Sequence, residues 1–507
     1  MRLARRWILP SLLLLLATGL RSFAGAPQPT SRPLALAAGR LSGINAQFMP
    51  PPTDPAGRTT AWRRITDLGV RVSRVDGDWA AIEKQPGVYD WRPLDAKVDE
   101  LAAHGLSPLV ILDYGNPLYS KLGSAAASTG FGGIPPFAIG YPGYYPPDSP
   151  TPFATWAGAL ARRYRGRVSL FEVWNEENLG WRFWEPHEDP AAYAALLKQT
   201  YTAVKAVAPE DQVAFGGTFY PAVDAATAAA DGIPVPTSTA TADLALPHQG
   251  TLEFVANALA AAPDLGGFFD AVAYHPYHFP YMAPEVDIPI EGSTETSMTA
   301  LQTLLATHHL AAKPVWITEV GWPNNTLAYG ATPMKSASYL VRTYATAWAH
   351  GIEQVDWYCY GDASDWQYNQ ESAFGVVDSD GNLKPAYYAW QALDRLVMPL
   401  PFLDSRALAL GLPADGHALR FGDAVRSVTV VWLAPETMFT DQGPVLPVAD
   451  QRATVPTPAG STALYDMLGR PLPLGATFQA SPYPVFLVQG AAVAPSPAVG
   501  GLPNTSR

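Results

Sequence analysis

A single cysteine, Cys359, is all that this 507-residue chain contains. No intramolecular disulfide can brace it, so its stability must come from a packed core. That thiol lies in a strand-like run, V-D-W-Y-C-Y at 355–360, where a buried, inert side chain is expected rather than a nucleophile. Basic residues are scarce, 33 Lys and Arg against 45 Asp and Glu, for a formal charge of −12. That balance excludes nucleic acid as an expected partner and is compatible with a neutral or mildly charged saccharide. Also missing are a solenoid-type repeat, a glycine-rich phosphate loop after a strand, and any His/Cys/Asp spacing suited to a metal; no cofactor or metal is expected.

The apolar run at 7–20 is 14 residues long and interrupted by Pro10, short of the ~20 residues that a spanning helix needs. With Arg2, Arg5 and Arg6 before it and Ser22-Phe23-Ala24 after it, residues 1–24 read as an export signal. Its four arginines and no acids would leave a mature chain of 29 basic and 45 acidic residues, or −16. The expectation is an exported protein, periplasmic or secreted, with no integral membrane span after leader cleavage; a retained anchor is the alternative. Residues 25–39, rich in proline, read as an extended linker.

What is plentiful is hydrophobic sequence (48%) and aromatics, with 15 Trp and 23 Tyr. Between residues 40 and 398, eight apolar strand-like runs alternate with helical patterns, beginning at 41–48 and ending at 354–360. The implied fold is α/β, a (β/α)8 barrel. A long connection at 115–151 carries Tyr119, Phe131, Phe137, Tyr141, Tyr144 and Tyr145, either as a lid or sugar platform over the barrel mouth or as a packed insertion. The Ala/Thr-rich segment 221–247 carries no evident chemistry. From residue 399 to 489 short apolar segments alternate with Gly/Pro/Asp turns, a β-sandwich-like accessory domain. The tail, 490–507, is expected to be disordered.

Two strands end in acids. Residues 168–178 read V-S-L-F-E-V-W-N-E-E-N, and 314–323 read P-V-W-I-T-E-V-G-W-P. Parallel barrels bury their strands and expose reactive groups just past the C-terminal strand ends. Glu176 and Glu319 therefore have the placement that glycoside hydrolysis requires, one carboxyl giving a proton to the leaving oxygen and the other attacking the anomeric carbon. Glu176 as general acid needs a raised pKa. Glu319 as nucleophile needs donors, for which Arg74 and Tyr277 are candidates. Asn175 can hold a sugar hydroxyl beside the acid, and Glu172, of the same strand parity as Glu176, is expected inside the barrel beside Arg74. Asp378–Asn382, D-S-D-G-N, lacks the distal glutamate of a calcium loop and reads as a hairpin turn.

Trp174-Asn175-Glu176 and Ile317-Thr318-Glu319 resemble the acid/base and nucleophile signatures of clan A glycoside hydrolases. The string F-E-V-W-N-E at 171–176 is similar to glycoside hydrolase family 39, which includes β-xylosidases, iduronidases and glycosidases of bacterial exopolysaccharides. The resemblance implies Glu176 as proton donor, Glu319 as nucleophile, and Asn175 on the sugar 2-hydroxyl. It further implies His275 and Tyr277 as a polar pair and Trp357 as a stacking aromatic; Trp322 completes the candidate sugar-binding set. Glu177 stands where the family usually has proline. It either raises the acid's pKa through its charge or points to solvent on the opposite face. The expected activity is retaining hydrolysis of a polysaccharide or oligosaccharide, endo-acting on a bacterial exopolysaccharide. The alternatives are an exo-acting β-xylosidase-like enzyme and, from another class, a non-catalytic carbohydrate-binding barrel.

Overall fold

The structure is a computed structural model that describes residues 40–128, 141–180, 182–220, 248–277, 283–285, 293–325, 330–434, 439–440, 443–444 and 451–491. The leader at 1–24, the linker at 25–39, the 221–247 segment, Phe131 and Phe137, and residues 492–507 of the tail lie outside these. So do Phe279 and Tyr281.

Eight strands, β1 (Leu41–Asn45), β2 (Val72–Asp76), β3 (Ser107–Leu112), β4 (Leu170–Asn175), β5 (Gln212–Phe219), β6 (Ala271–His275), β7 (Val315–Val320) and β8 (Gln354–Tyr358), pair in parallel and close into a barrel, β8 returning to β1. Eight main helices alternate with them: α1 (Pro55–Asp67), α2 (Arg92–Ala103), α3 (Pro150–Tyr164), α4 (Pro190–Val207), α5 (Thr251–Ala261), α6 (Thr294–Thr307), α7 (Pro333–Ala349) and α8 (Pro385–Leu396). Their starts are written in the sequence. Ser149, Asp189 and Thr332 each accept a first-turn backbone N–H and are each followed by proline, a cap worth about 1 kcal/mol with a residue preset for helix. Among the connections, a single helical turn at Trp79–Ile82 and a small hairpin at 83–89, between β2 and α2, have no counterpart in the sequence reading.

Side chains alternate along a strand, and that alternation builds the barrel interior in layers. Leu41, Val72, Leu109, Leu170, Ala214, Ala271, Ala273 and Trp316 form one apolar cluster, in which three alanines leave room for one indole. Two residues further along four of these strands, the same interior face turns polar: Val72 gives way to Arg74, Leu170 to Glu172, Ala273 to His275, and Trp316 to Thr318. All four polar side chains are buried. A floor of hydrocarbon thus carries a buried polar layer at the C-terminal mouth.

The C-terminal domain is a six-stranded sheet faced by a two-stranded one. In the larger sheet β9 (Phe402–Ser405), β10 (Gly416–Gly422), β11 (Arg426–Leu433), β16 (Val485–Gly490), β13 (Ser461–Asp466) and β14 (Pro471–Leu472) follow in that order; β12 (Ala453–Pro456) pairs with β15 (Thr477–Ala480). Val428, Val430, Trp432, Phe486 and Val488 join the core of the barrel's helical layer. The alternate residues, Val431, Leu433, Val485 and Leu487, pack on Val455, Phe478 and Ala480 of the small sheet. The Asp378–Asn382 segment is a turn closed by its own aspartate, whose Oδ1 accepts the Asp380 and Asn382 N–H groups.

A buried ion pair fastens the two domains. Arg342 of α7, 1% exposed, donates to both carboxylate oxygens of Glu285, and Trp432 Nε1 donates to Glu285 Oε1 at 2.8 Å. Ser338 Oγ donates to the Pro482 carbonyl at 2.6 Å. Arg342→Met would strand a buried carboxylate, and the expected loss is about 3–5 kcal/mol in chemical denaturation. A loss below about 1 kcal/mol would mean that the pair is neutral to stability.

Candidate active site

Two local irregularities bring the carboxyls into one cavity. Regular alternation would send Asn175 and Glu176 to opposite faces, yet both line the cavity at the barrel mouth. Trp174 and Glu176 have positive φ, 73° and 48°, a conformation rare for non-glycine residues and concentrated at functional sites. These turns re-aim the end of β4; Trp174 Nε1–H to the Phe183 carbonyl at 2.7 Å and Glu176 N–H to Gly217 O at 2.9 Å hold it. On the other side, β7 carries one extra residue between the pairs Val355↔Ile317 and Trp357↔Val320. Such a bulge re-aims side chains, and here Thr318 and Glu319 both reach the site.

Arg74 is the hub of the polar layer. It donates to Glu319 Oε1, to Glu172 Oε1, to Asn175 Oδ1 at 2.7 Å and to Asn45 Oδ1 at 3.3 Å. Burial works against its charge, but Glu172 and Glu319 beside it hold it protonated. Tyr277 Oη donates to Glu319 Oε2 at 2.9 Å, and Asn175 Nδ2 donates to Tyr114 Oη at 3.1 Å. Burial raises the Glu319 pKa above its ordinary value, and the Arg74 charge and the Tyr277 hydroxyl only partly offset the rise.

Glu176 is lifted to about 8, chiefly by burial, with Arg182 as the main opposing charge. Burial lowers His275 to about 4. His275 Nδ1 lies 2.8 Å from Glu176 Oε1, and Nε2 lies 3.1 Å from Thr318 Oγ1. The two shifts agree on one proton placement: the Glu176 hydroxyl donates to Nδ1 of a neutral imidazole, and Nε2–H faces Thr318. The two glutamates thus differ in their partners, an imidazole nitrogen that accepts from Glu176 against a guanidinium and a phenol that donate to Glu319, the kind of difference that can separate an acid from a nucleophile. One atom each of Glu176, His275 and Glu319 lies within 4.8 Å of the others. Carboxyl oxygens that approach this closely fit the short spacing of retaining glycosidases, about 5–5.5 Å between the two groups. A metal ion could use the same spacing, but it would have to displace the Glu176–His275 hydrogen bond next to the fixed charge of Arg74.

Other expectations need correction. Trp357 and Trp322 are buried and lie outside the cavity lining. Asp356 faces the barrel interior over Gly43, so alternation turns Trp357 outward, where it packs on Trp322, itself against Tyr339 of α7. The aromatic that β8 gives the cavity is Tyr358. Glu177 is not solvated. It is fully buried under Gly216, and burial pushes its carboxyl well up; it is not a main cause of the Glu176 shift. Glu172 is inside the barrel on Arg74, as its parity indicated. Of the 115–151 aromatics, Tyr144 is buried and Tyr119 stacks on Trp79, while Tyr141 reaches the cavity wall. Cys359 is buried, its thiol donating to the Gly361 carbonyl. Arg182 and Glu371, 3.6 Å apart at the cavity, come from connections without a periodic signal, Glu371 from a single 3-10 turn, Gln370–Ser372.

No protein-family model matches the chain, and no curated protein matches it. Solved structures do match its fold. A family 39 glycoside hydrolase from the gut symbiont Bacteroides cellulosilyticus superposes with a TM-score of 0.63 at 24% identity, over 89% of this chain and 81% of that one. A monomeric β-xylosidase from Caulobacter crescentus gives 0.56 at 17%, over 89% and 97%. A GH39 enzyme from Xanthomonas axonopodis pv. citri gives 0.55 at 18%, over 90% and 94%. At these identities the likeness establishes the shared architecture, a closed parallel barrel with a C-terminal β domain.

Proposed function

We propose that this chain is a retaining glycoside hydrolase of the family 39 type, exo-acting and β-xylosidase-like in architecture. The observation that carries the proposal is the close pair Glu176–Glu319, one carboxyl protonated beside a neutral imidazole and the other held by Arg74 and a tyrosine hydroxyl. Glu319 attacks the anomeric carbon while Glu176 gives its proton to the departing oxygen; Glu176 then takes a proton from the water that opens the glycosyl-enzyme. Asn175, His275, Arg74 and Tyr277 hold the sugar and the two acids in register. A binding-only barrel has no use for two acids this close with such different partners, so catalysis is favoured over it.

The cavity volume, about 330 Å³, sits at the low end of the about 300–1,000 Å³ of ligand sites and favours a short saccharide over a long polymer strand. The β-xylosidases among the structures of like fold support the same choice. Export by the 1–24 leader would place the enzyme where it meets saccharides outside the cytoplasm. The expected results are a first product with retained anomeric configuration in a proton NMR time course, and monosaccharide released from the start. An inverted first product would overturn the double displacement; oligomers appearing before monomer would move the enzyme to endo action.

A further inference from the structure

On the β2–β3 side of the cavity the wall is acidic. Asp76 ends β2, Asp78 follows it, and Asp113 follows β3, the strand paired with β2. All three line the cavity, with Lys97 as the base beside them. Lys97 Nζ lies 3.9 Å from Asp76 Oδ2 and donates to the Asp76 carbonyl at 3.1 Å. Asp78 Oδ1 accepts the Ala81 N–H at 3.0 Å, and Asp113 Oδ1 accepts the Asp78 N–H at 3.0 Å. Asp113 is 1% exposed, yet its second carboxyl oxygen has no hydrogen-bond partner among the described residues.

Three carboxyls against one ammonium repel one another, and burial compounds the repulsion. Burial, with Asp76 and Asp78, pushes the Asp113 carboxyl well up, and burial pushes Asp78 up as well. A cation would relieve that cost. It is not a metal shared by the three aspartates: among the described residues the trio with metal-ligand spacing is Glu176, His275 and Glu319. Sugar hydroxyls need no such surplus of negative charge, because neutral amides and hydroxyls serve them as well.

We propose that this wall receives an ammonium group: the substrate carries a free amine on the sugar unit beside Asp113, which recognises it together with Asp76 and Asp78. An ammonium brings three donors and a full charge to the unpartnered oxygen of Asp113. N-acetylation removes the charge and all but one donor. The inference rests on the glycosidase proposal above and names its substrate class as amino sugars.

The test compares kcat/KM of the full chain on aryl β-glycosides of glucosamine and its positional amino isomers with their N-acetylated forms, the glucoside and the xyloside. At least one free amine is expected to exceed its N-acetylated and hydroxyl counterparts by about 10- to 100-fold, the worth of a charged hydrogen bond. Asp113→Asn should erase most of that ratio. A preference for the xyloside or glucoside, or an Asp113→Asn loss equal on all substrates, would assign the wall to hydroxyls and overturn the inference while leaving the hydrolase standing. If no glycoside is cleaved, the hydrolase reading fails by itself. NMR titration of the intact protein with glucosamine, N-acetylglucosamine and glucose then decides the ammonium separately: tighter glucosamine binding supports it, and equal binding overturns it.

Discussion

Replacing Glu319 with alanine is expected to lower kcat by about ten-thousandfold, the scale seen when a member of a covalent catalytic unit is removed. The protein should still fold, because Arg74 keeps its buried partner Glu172 together with Asn175 and Asn45. The vacated space borders the Arg74 guanidinium, a place for a small anion. Azide added to Glu319→Ala should therefore restore turnover of an activated aryl glycoside and yield a glycosyl azide of inverted configuration, since a single displacement replaces two. In Glu176→Ala the glycosyl-enzyme still forms on Glu319 from an activated substrate. There azide should enter by the second displacement and give the retained configuration. Opposite anomers from the two variants would fix which glutamate attacks and which shuttles the proton. If Glu319→Ala kept more than about a tenth of wild-type kcat, Glu319 would be a structural partner of Arg74 and no nucleophile.

The barrel and its two acids were legible because each strand is a buried apolar run ending in polar residues. Parity along those strands also places Arg74, Glu172, His275 and Thr318 in a single layer above the Trp316 cluster. What the chain did not disclose are departures from parity. Nothing in W-N-E-E announces that Trp174 and Glu176 take positive φ, the turn that lets Asn175 and Glu176 share the cavity and tucks Glu177 under Gly216. Nor does I-T-E-V announce the extra residue in β7. Trp357 was misplaced for the opposite reason: the strand there is regular, and strict alternation points Asp356 inward and the indole outward. Arg182 and Glu371 meet only through the fold, and no spacing within either loop encodes their contact.

Glu176→Gln should separate catalysis from stability with opposite signs. Losing the proton donor is expected to cost about 100- to 10,000-fold in kcat/KM on substrates with poor leaving groups. It should also remove the alkaline limb of the wild-type profile, which ionisation of Glu176 places near pH 8. Stability goes the other way. In the unfolded chain a glutamate titrates at about 4.3, whereas in the folded protein Glu176 holds its proton up to about 8. Its contribution to folding is whole below the unfolded value and is lost as pH rises through the folded one. Glutamine cannot ionise, and its amide can still donate to His275 Nδ1. The other buried carboxyls, Asp113, Glu177 and Asp356 among them, are common to both proteins and cancel in the difference. The stability of Glu176→Gln relative to wild type should therefore climb between about pH 5 and about pH 9 and level off above that. Denaturation midpoints across this range would read the climb directly. A difference that stays flat with pH would mean that Glu176 is already ionised in the folded protein, and the acid would have to be sought elsewhere in the cavity.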